Sequence, residues 1–481
     1  MNVVLIVLDS LRQDHVGAYG NDWIQTPQFD RFASESVRYT RCYPEALPTL
    51  PMRRSLYTGR RIFPFPEIAT DFSVLYQFPG WGPIRPDRQT ISEVFMKNGY
   101  RTCLVADLWH MFKTHRNFHR GFHSYEWVRG QEMDTYKTGP ALDEAFIEKF
   151  IPETHKKNEK VKRFIGQYLL NNIHLSEEDR SQAQIFRKAS KWLEENQDAK
   201  DFFLIVESFD PHEPWMPPQY YRRLYDPDDD CPTDCIQPPY VKWQEYLTPR
   251  ELKRLQANYA GLVTMLDRWF GYFMEALRCS GRLEDTVVAV VTDHGHNIAY
   301  PGDQDYVGKH GHPSTHGVND LVLMVRHPKG VGAGTVSELL CQNFDVTTTL
   351  LDLAGVEKPA EMEGRNIWEP ALKGAGLREY SSTVWGTVTT VVTDDWWYNS
   401  NLWGEGRRLF DMKTDPRHTH NLAQSSPEVC EELLARVINQ AGGLDRLPPN
   451  LADYKNRVGC GLNGYAPMAY ANAIYIDAAT F

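Results

Sequence analysis

Three stretches of this chain place residues that could do chemistry together. In residues 44–60 (PEALPTLPMRRSLYTGR), Thr49 and Arg53 stand four apart. That spacing suits an anion-handling turn: a hydroxyl at the N-terminal edge of a helix, backbone N–H groups free beside it, and a guanidinium one turn on that points back at the same oxyanion. Residues 3–8 (VVLIVL) run directly into Asp9, and residues 286–291 (TVVAVV) run into Thr292-Asp293-His294-Gly295-His296. Continuous apolar, β-branched runs read as strands buried on both faces of a largely parallel sheet. Open α/β sheets hold their ligands at the carboxyl ends of such strands. A carboxylate and an imidazole adjacent on one turn can both reach a metal held by Asp9 from a neighbouring strand.

The elements that must position these residues follow the same pattern. Residues 90–100 (TISEVFMKNGY) read as a capped helix ending at Gly99, and residues 101–106 as a strand delivering Asp107-Leu108-Trp109-His110. Residues 201–209 (DFFLIVESF) form a further buried strand that ends in Asp210-Pro211-His212-Glu213-Pro214-Trp215. Between these two strands, residues 132–200 are polar and helical and carry the basic run 156–162, so they are expected as an insertion at the mouth of the site. A Pro- and Asp-rich loop (217–249) precedes a long helix over 249–279. Val307-Gly308-Lys309-His310 follows the Asp293 turn, then a strand at 321–326 and a helix at 345–356. Short strands are expected over 382–387 and 389–397.

Taken in order, these segments resemble the sulfatase family of the alkaline phosphatase superfamily. Thr49, Pro51, Arg53, Leu56, Thr58, Gly59 and Arg60 match the family's nucleophile signature C/S-x-P-x-R-x-x-L-x-T-G-R at every spacing except the first residue. There the family has a cysteine or serine that becomes formylglycine, a conversion a threonine cannot undergo. Cys42-Tyr43-Pro44 also reads C-x-P, but Ala46 stands at its arginine position. Thr26 to Ala33 (TPQFDRFA), Asp107 to His110, Asp210 to Trp215, Tyr259 to Asp267, Asp293 to Gly295, Val307 to His310, Asp345 to Gly355 and Arg408 to Pro416 resemble further family motifs.

The resemblance implies an α/β alkaline phosphatase-like sandwich, with a large mixed, mostly parallel sheet between helices and a small C-terminal antiparallel sheet subdomain. The implied division is a catalytic domain over 1–370, a C-terminal subdomain over 371–445 and a tail over 446–481. It also implies that Asp9, Thr49, Asp293 and His294 hold one divalent cation, that Arg53 and Lys309 stabilise charge on the oxyanion, and that His110 and His212 protonate or position the leaving oxygen. Oxygen-rich ligation with one imidazole suits Ca²⁺, Mn²⁺ or Mg²⁺, with Zn²⁺ as a further option. Two departures matter. Ser10 replaces the second aspartate found in many sulfatases, as a noncharged residue does in the related phosphonate monoester hydrolases. Leu108 replaces a lysine that would contact the oxyanion; Lys113 and His115 nearby are read either as substitutes for it or as surface residues.

Composition bounds the rest. At 481 residues, 42% hydrophobic and 24% charged, the chain can bury a large α/β core with a smaller appendage. A net charge of −11 argues against nucleic acid as a routine partner while leaving room for a local basic pocket. No apolar run reaches the roughly 18–20 residues of a membrane span, and Asp9 interrupts the first one before a signal sequence could form. A cytoplasmic protein is therefore expected, with its oligomeric state open. Of the eight cysteines only Cys231 and Cys235 lie close together, and with no second cluster they read as reduced thiols in a solvated loop.

The threonine shifts the expected substrate. A formylglycine hydrate expels sulfate by collapsing to the aldehyde; a sulfated threonine has no such exit. A phosphorylated threonine can be opened by in-line attack of water. The reading is therefore a metal-dependent hydrolase of phosphate or phosphonate esters, phosphodiesters included, through a covalent Thr49 intermediate acting on a small anionic ester. A sulfatase working without formylglycine and a catalytically silent binding protein are the alternatives.

Overall fold

The computed structural model of the chain describes residues 1–65, 79–113, 115–132 and 134–455. An eight-stranded sheet runs through its centre. In chain order the strands are β1 (Asn2–Leu8), β2 (Val37–Tyr39), β3 (Arg101–Ala106), β4 (Ser124–Trp127), β5 (Phe202–Ser208), β6 (Thr286–Thr292), β7 (Leu323–Arg326) and β8 (Val336–Ser337). In space they lie β8-β2-β7-β6-β1-β5-β3-β4. β1 pairs in parallel with both β5 and β6, and β3 in parallel with β5 and β4; β7 runs antiparallel to its neighbours.

The apolar runs have the burial that their composition demands. Val3, Leu5 and Val7 enter one core and Val4, Ile6 and Leu8 the other, so both faces of β1 need cover. One face is covered by α1 (Thr49–Thr58) and α5 (Asn343–Leu353); the other by α3 (Ser181–Glu195) and α4 (Pro249–Cys279). α4 starts at a reciprocal cap between Thr248 and Glu251 with Pro249 in its first turn. α1 ends at Gly59, whose φ of 59° is the left-handed conformation that closes a helix.

Residues 134–200 are largely helical, as expected, and they also contribute to both cores. α2 (Glu159–Asn172) adds Phe164, Ile165, Tyr168 and Leu169 to one core, and α3 adds Ala183, Phe186, Ala189 and Leu193 to the other. The apolar residues sit three to four apart on one stripe, while charged residues on the water-facing side dominate the average composition.

A second, four-stranded antiparallel sheet of β9 (Ser381–Trp385), β10 (Val388–Val392), β11 (Trp396–Asn401) and β12 (Arg408–Asp411) packs on α6 (Pro427–Gln440). The single strand expected over 389–397 is divided by a turn in which the Thr393 hydroxyl accepts from the backbone N–H groups of Asp395 and Trp396. β9 grips the chain just before Thr49: Leu47 N donates to Val384 O at 3.0 Å and Val384 N to Glu45 O at 3.0 Å. Most of the tail expected over 446–481 lies outside the described residues. Among those described, no helix is long and apolar enough to cross a membrane.

Candidate active site

β1 and β6 are neighbours in register, Leu8 opposite Thr292, so the residues that follow them emerge side by side. One ligand atom each from Asp9, Asp293 and His294 lies within 4.8 Å of the others, and all three residues are buried. Ser10 fixes the pair. Its backbone N–H donates to Asp293 Oδ1 at 3.0 Å and its hydroxyl to Asp9 Oδ1 at 2.8 Å, from a backbone held at φ 60°. The serine at the second-aspartate position thus orients both carboxylates. Gly295 is required by close approach, since a Cβ there would stand 2.0 Å from Gly317 O.

Thr49 opens α1 and is 3% exposed. Arg53, one turn on, binds it to the carboxylates: Nη1 lies 2.6 Å from Asp293 Oδ2, 3.1 Å from Asp9 Oδ2 and 3.2 Å from the Thr49 carbonyl oxygen. On its other side, Arg53 Nε donates to Glu207 Oε2 at 2.7 Å, and Tyr57 donates to Glu207 Oε1 at 3.0 Å. Glu207 was missed in the sequence, although a carboxylate inside a strand buried on both faces must find a cation.

Burial and the neighbouring Asp293 push the Asp9 carboxyl well above the usual carboxylate range. Burial alone would raise Asp293 as well, but His294, Arg53 and the surrounding hydrogen bonds hold it low. Burial draws His294 down to about 4 against the pull of Asp293, so its imidazole is neutral at pH 7. His294 Nδ1 lies 2.8 Å from Gly295 O, which makes Nδ1 the protonated nitrogen. That leaves Nε2 buried with no hydrogen-bond partner, 3.4 Å from Asp293 Oδ2. Two crowded carboxylates beside an unsatisfied imidazole lone pair fit a divalent cation, and Arg53 links them to the Thr49 backbone.

A second cluster stands over this one. Lys309, 7% exposed, reaches Glu213 Oε1 at 2.9 Å and Oε2 at 3.1 Å, and His212 Nε2 at 2.5 Å. Its charge is felt at Asp9 and His294. His212 Nδ1 donates to Glu213 O at 2.6 Å, so its Nε2 is the acceptor for the lysine. Burial takes His212 down to about 3. Burial alone would raise the Glu213 carboxyl; His212, Lys309 and His296 instead hold it well below the usual range. Tyr240 also donates to Glu213, and His296 Nε2 lies 3.2 Å from it. Glu213 is a second residue the sequence motifs did not single out.

His110 Nε2 sits 2.9 Å from Glu132 Oε2, and burial brings His110 down to about 4 despite that carboxylate. Glu132 also senses His212, which places His110 in the same neighbourhood. Leu108 is fully buried, so no cation replaces the family lysine at that position. Lys113 lies with Nζ 4.0 Å from the Trp109 ring centre and its charge depresses His110, whereas His115 is exposed. His312 and His316 bond to Gly406 O and Asp320. Cys231 and Cys235 are free thiols, the latter buried.

A large mixed, mostly parallel sheet with polar groups gathered at its strand ends and a small antiparallel sheet against the segment that leads into α1 is the alkaline phosphatase-like fold, and the protein is an ester hydrolase of that superfamily. Residues 1–356 match the family model described as Sulfatase, and the chain belongs to the sulfatase family. It is 25% identical to an arylsulfatase of Clostridium perfringens, over 88% of this chain and 90% of that protein. It is 23% identical to a multifunctional alkaline phosphatase superfamily protein of Trinickia caryophylli, over 76% of each. Among solved structures it superposes on a phosphonate monoester hydrolase of Agrobacterium radiobacter with a TM-score of 0.70 at 19% identity, covering 91% of this chain and 95% of that one.

Proposed function

We propose that the protein hydrolyses phosphate or phosphonate esters with Thr49 as nucleophile. The observation that carries this reading is the Arg53 contact set, which binds the helix turn of Thr49 to the Asp9–Asp293 carboxylates. A secondary alcohol held there can form an ester that water reopens at phosphorus and cannot reopen by the formylglycine route.

Asp9, Asp293, His294 and the Thr49 hydroxyl would hold one divalent cation, with Ca²⁺, Mn²⁺ or Mg²⁺ favoured by the hard donor set. When bound, the ion supplies Lewis acidity that lowers the pKa of the hydroxyl and draws charge from one nonbridging oxygen. The protein's own groups do the rest. Arg53 and the N–H groups opening α1 offset negative charge at the oxyanion. Thr49 Oγ bonds to phosphorus as the bond to the leaving oxygen breaks. The hydroxyl proton passes to the carboxylate cluster. The leaving oxygen takes a proton from the Lys309–His212 pair, which holds one between Nζ and Nε2. His110, anchored by Glu132, positions the leaving group. Water then attacks phosphorus as the bond to Thr49 Oγ breaks; one water proton returns to the Lys309–His212 pair, and Thr49 Oγ takes its proton back from the carboxylate cluster.

Direct use of Thr49 in sulfate transfer is the second reading, favoured by the sulfatase names of several relatives. Aryl phosphate, phosphodiester, phosphonate and sulfate substrates, assayed with Ca²⁺, Mn²⁺ or Mg²⁺, separate the two. Phosphate or phosphonate turnover is expected, lost in Thr49→Ala, with a phosphoryl group on the Thr49 peptide after acid quench. Turnover unchanged in Thr49→Ala would overturn the nucleophile assignment.

A further inference from the structure

Behind the reaction centre, at the C-terminal end of α1, the side chains of Arg54, Thr58, Arg60, Arg61, Arg85 and Arg88 line a cavity of about 60 Å³. That is about two waters' share of liquid volume, room for one tetrahedral oxyanion. The five arginines come from two separate stretches: one from α1 and the turn after it, the other from the segment following Trp81.

A helix C-terminus attracts cations, and Arg60 or Arg61 would satisfy that need. It does not call for Arg85 and Arg88 to converge from another part of the chain. Arg54 and Arg85 make further contacts, and among the described residues the carboxylates beside these arginines are Glu363, 3.3 Å from Arg61 and 4.0 Å from Arg60, and Asp87, 2.8 Å from Arg85. Both are solvated, their side chains 40% and 53% exposed, and such pairs are weak. Arg54, mostly buried, donates to Gly80 O at 2.8 Å, which spaces its fork from the turn. In a chain of net charge −11, a concave gathering of one sign focuses field on a small anion. Planar guanidinium forks match the oxygens of phosphate and sulfate.

We propose that this pocket binds a phosphate or sulfate group, separately from the reaction centre. The ten residues of α1 put the two places roughly 15 Å apart along the helix. The ligand is either the free inorganic anion or the same group carried on a sugar. Nothing in this assignment depends on the reaction given to Thr49.

The test is calorimetric titration of the full chain with inorganic phosphate, inorganic sulfate, and a sugar phosphate and sugar sulfate as separate arms. Wild type is compared with Arg60→Gln/Arg88→Gln and with Lys309→Ala, which weakens the reaction centre instead. The expected result is a binding event retained in Lys309→Ala and weakened on the order of tenfold or more in the double variant. If only the sugar arms bind, the source is a substituted ligand. Tungstate soaked into wild-type crystals gives a readout independent of any variant's folding, with anomalous density expected among these arginines. Identical binding in wild type and the double variant, no binding in any arm, or tungstate confined to the Asp9–Asp293 site overturns the proposal.

Discussion

The two ends of α1 handle positive charge in opposite ways. At the N-terminal end a single guanidinium, Arg53, is fully buried against three carboxylates, Asp9, Glu207 and Asp293. At the C-terminal end five arginines face one small cavity, with two solvated carboxylates beside them among the described residues. One end carries surplus negative charge in a dry setting, where an ion pair is expensive to break and a further cation is welcome. The other carries surplus positive charge near water, where each group contributes little to stability and an anion is welcome. A single ten-residue helix thus separates a buried carboxylate cluster from a gathering of arginines.

The largest effect expected from this contrast is at Arg53. Arg53→Met leaves three buried carboxylates without their cation and should cost roughly 3–5 kcal/mol, read by denaturant unfolding. A cost under about 1 kcal/mol would mean that the dry cluster does not depend on it. Next, Mn²⁺ or Ca²⁺ at about a hundred times its dissociation constant should stabilise the chain by about 2.7 kcal/mol. Asp9→Asn should remove most of that gain, while Arg60→Gln/Arg88→Gln should leave it intact. Equal stabilisation of Asp9→Asn would place the ion elsewhere.

A smaller effect concerns protons. His294 and His110 titrate near 4 and His212 near 3 in the folded chain, against about 6.5 unfolded. The unfolded state therefore binds more protons below 6.5. Metal-free stability should be fully present above that pH and fall as pH drops toward 4, by up to about 1.4 kcal/mol per pH unit for each histidine. A flat profile from pH 7 to 4.5 would show that these imidazoles are not held neutral. The smallest change is expected at the other end of the helix: Arg60→Gln/Arg88→Gln should shift stability by no more than about 0.5 kcal/mol in low-phosphate buffer, because both side chains are half-buried and already solvated.

Much of the reaction centre could be read from residue order. Asp9, Asp293 and His294 were identifiable because an apolar run with no polar break has to be a buried strand, and its first polar residue has to stand at the sheet's ligand-binding edge. Thr49 and Arg53 stood out through the resemblance of residues 49–60 to the sulfatase signature, since their four-residue spacing alone is common in ordinary helices. Glu207 and Glu213 were not, since their partners lie far away in the chain and a carboxylate in isolation does not say whether it meets water or a guanidinium. The helices over 132–200 were legible, but their share in the core was not, because their charged face outweighs the narrow apolar stripe that α2 and α3 turn inward.

The sequence by itself determined the central apolar strands, where they end and which polar groups follow them, because an unbroken apolar run and its termination are local properties. The tertiary structure decided how those ends pair, that Lys309 meets both His212 and Glu213, and that arginines from two segments meet at the C-terminal end of α1. Such outcomes depend on distances between residues up to about 300 positions apart, and only packing of the whole chain fixes them.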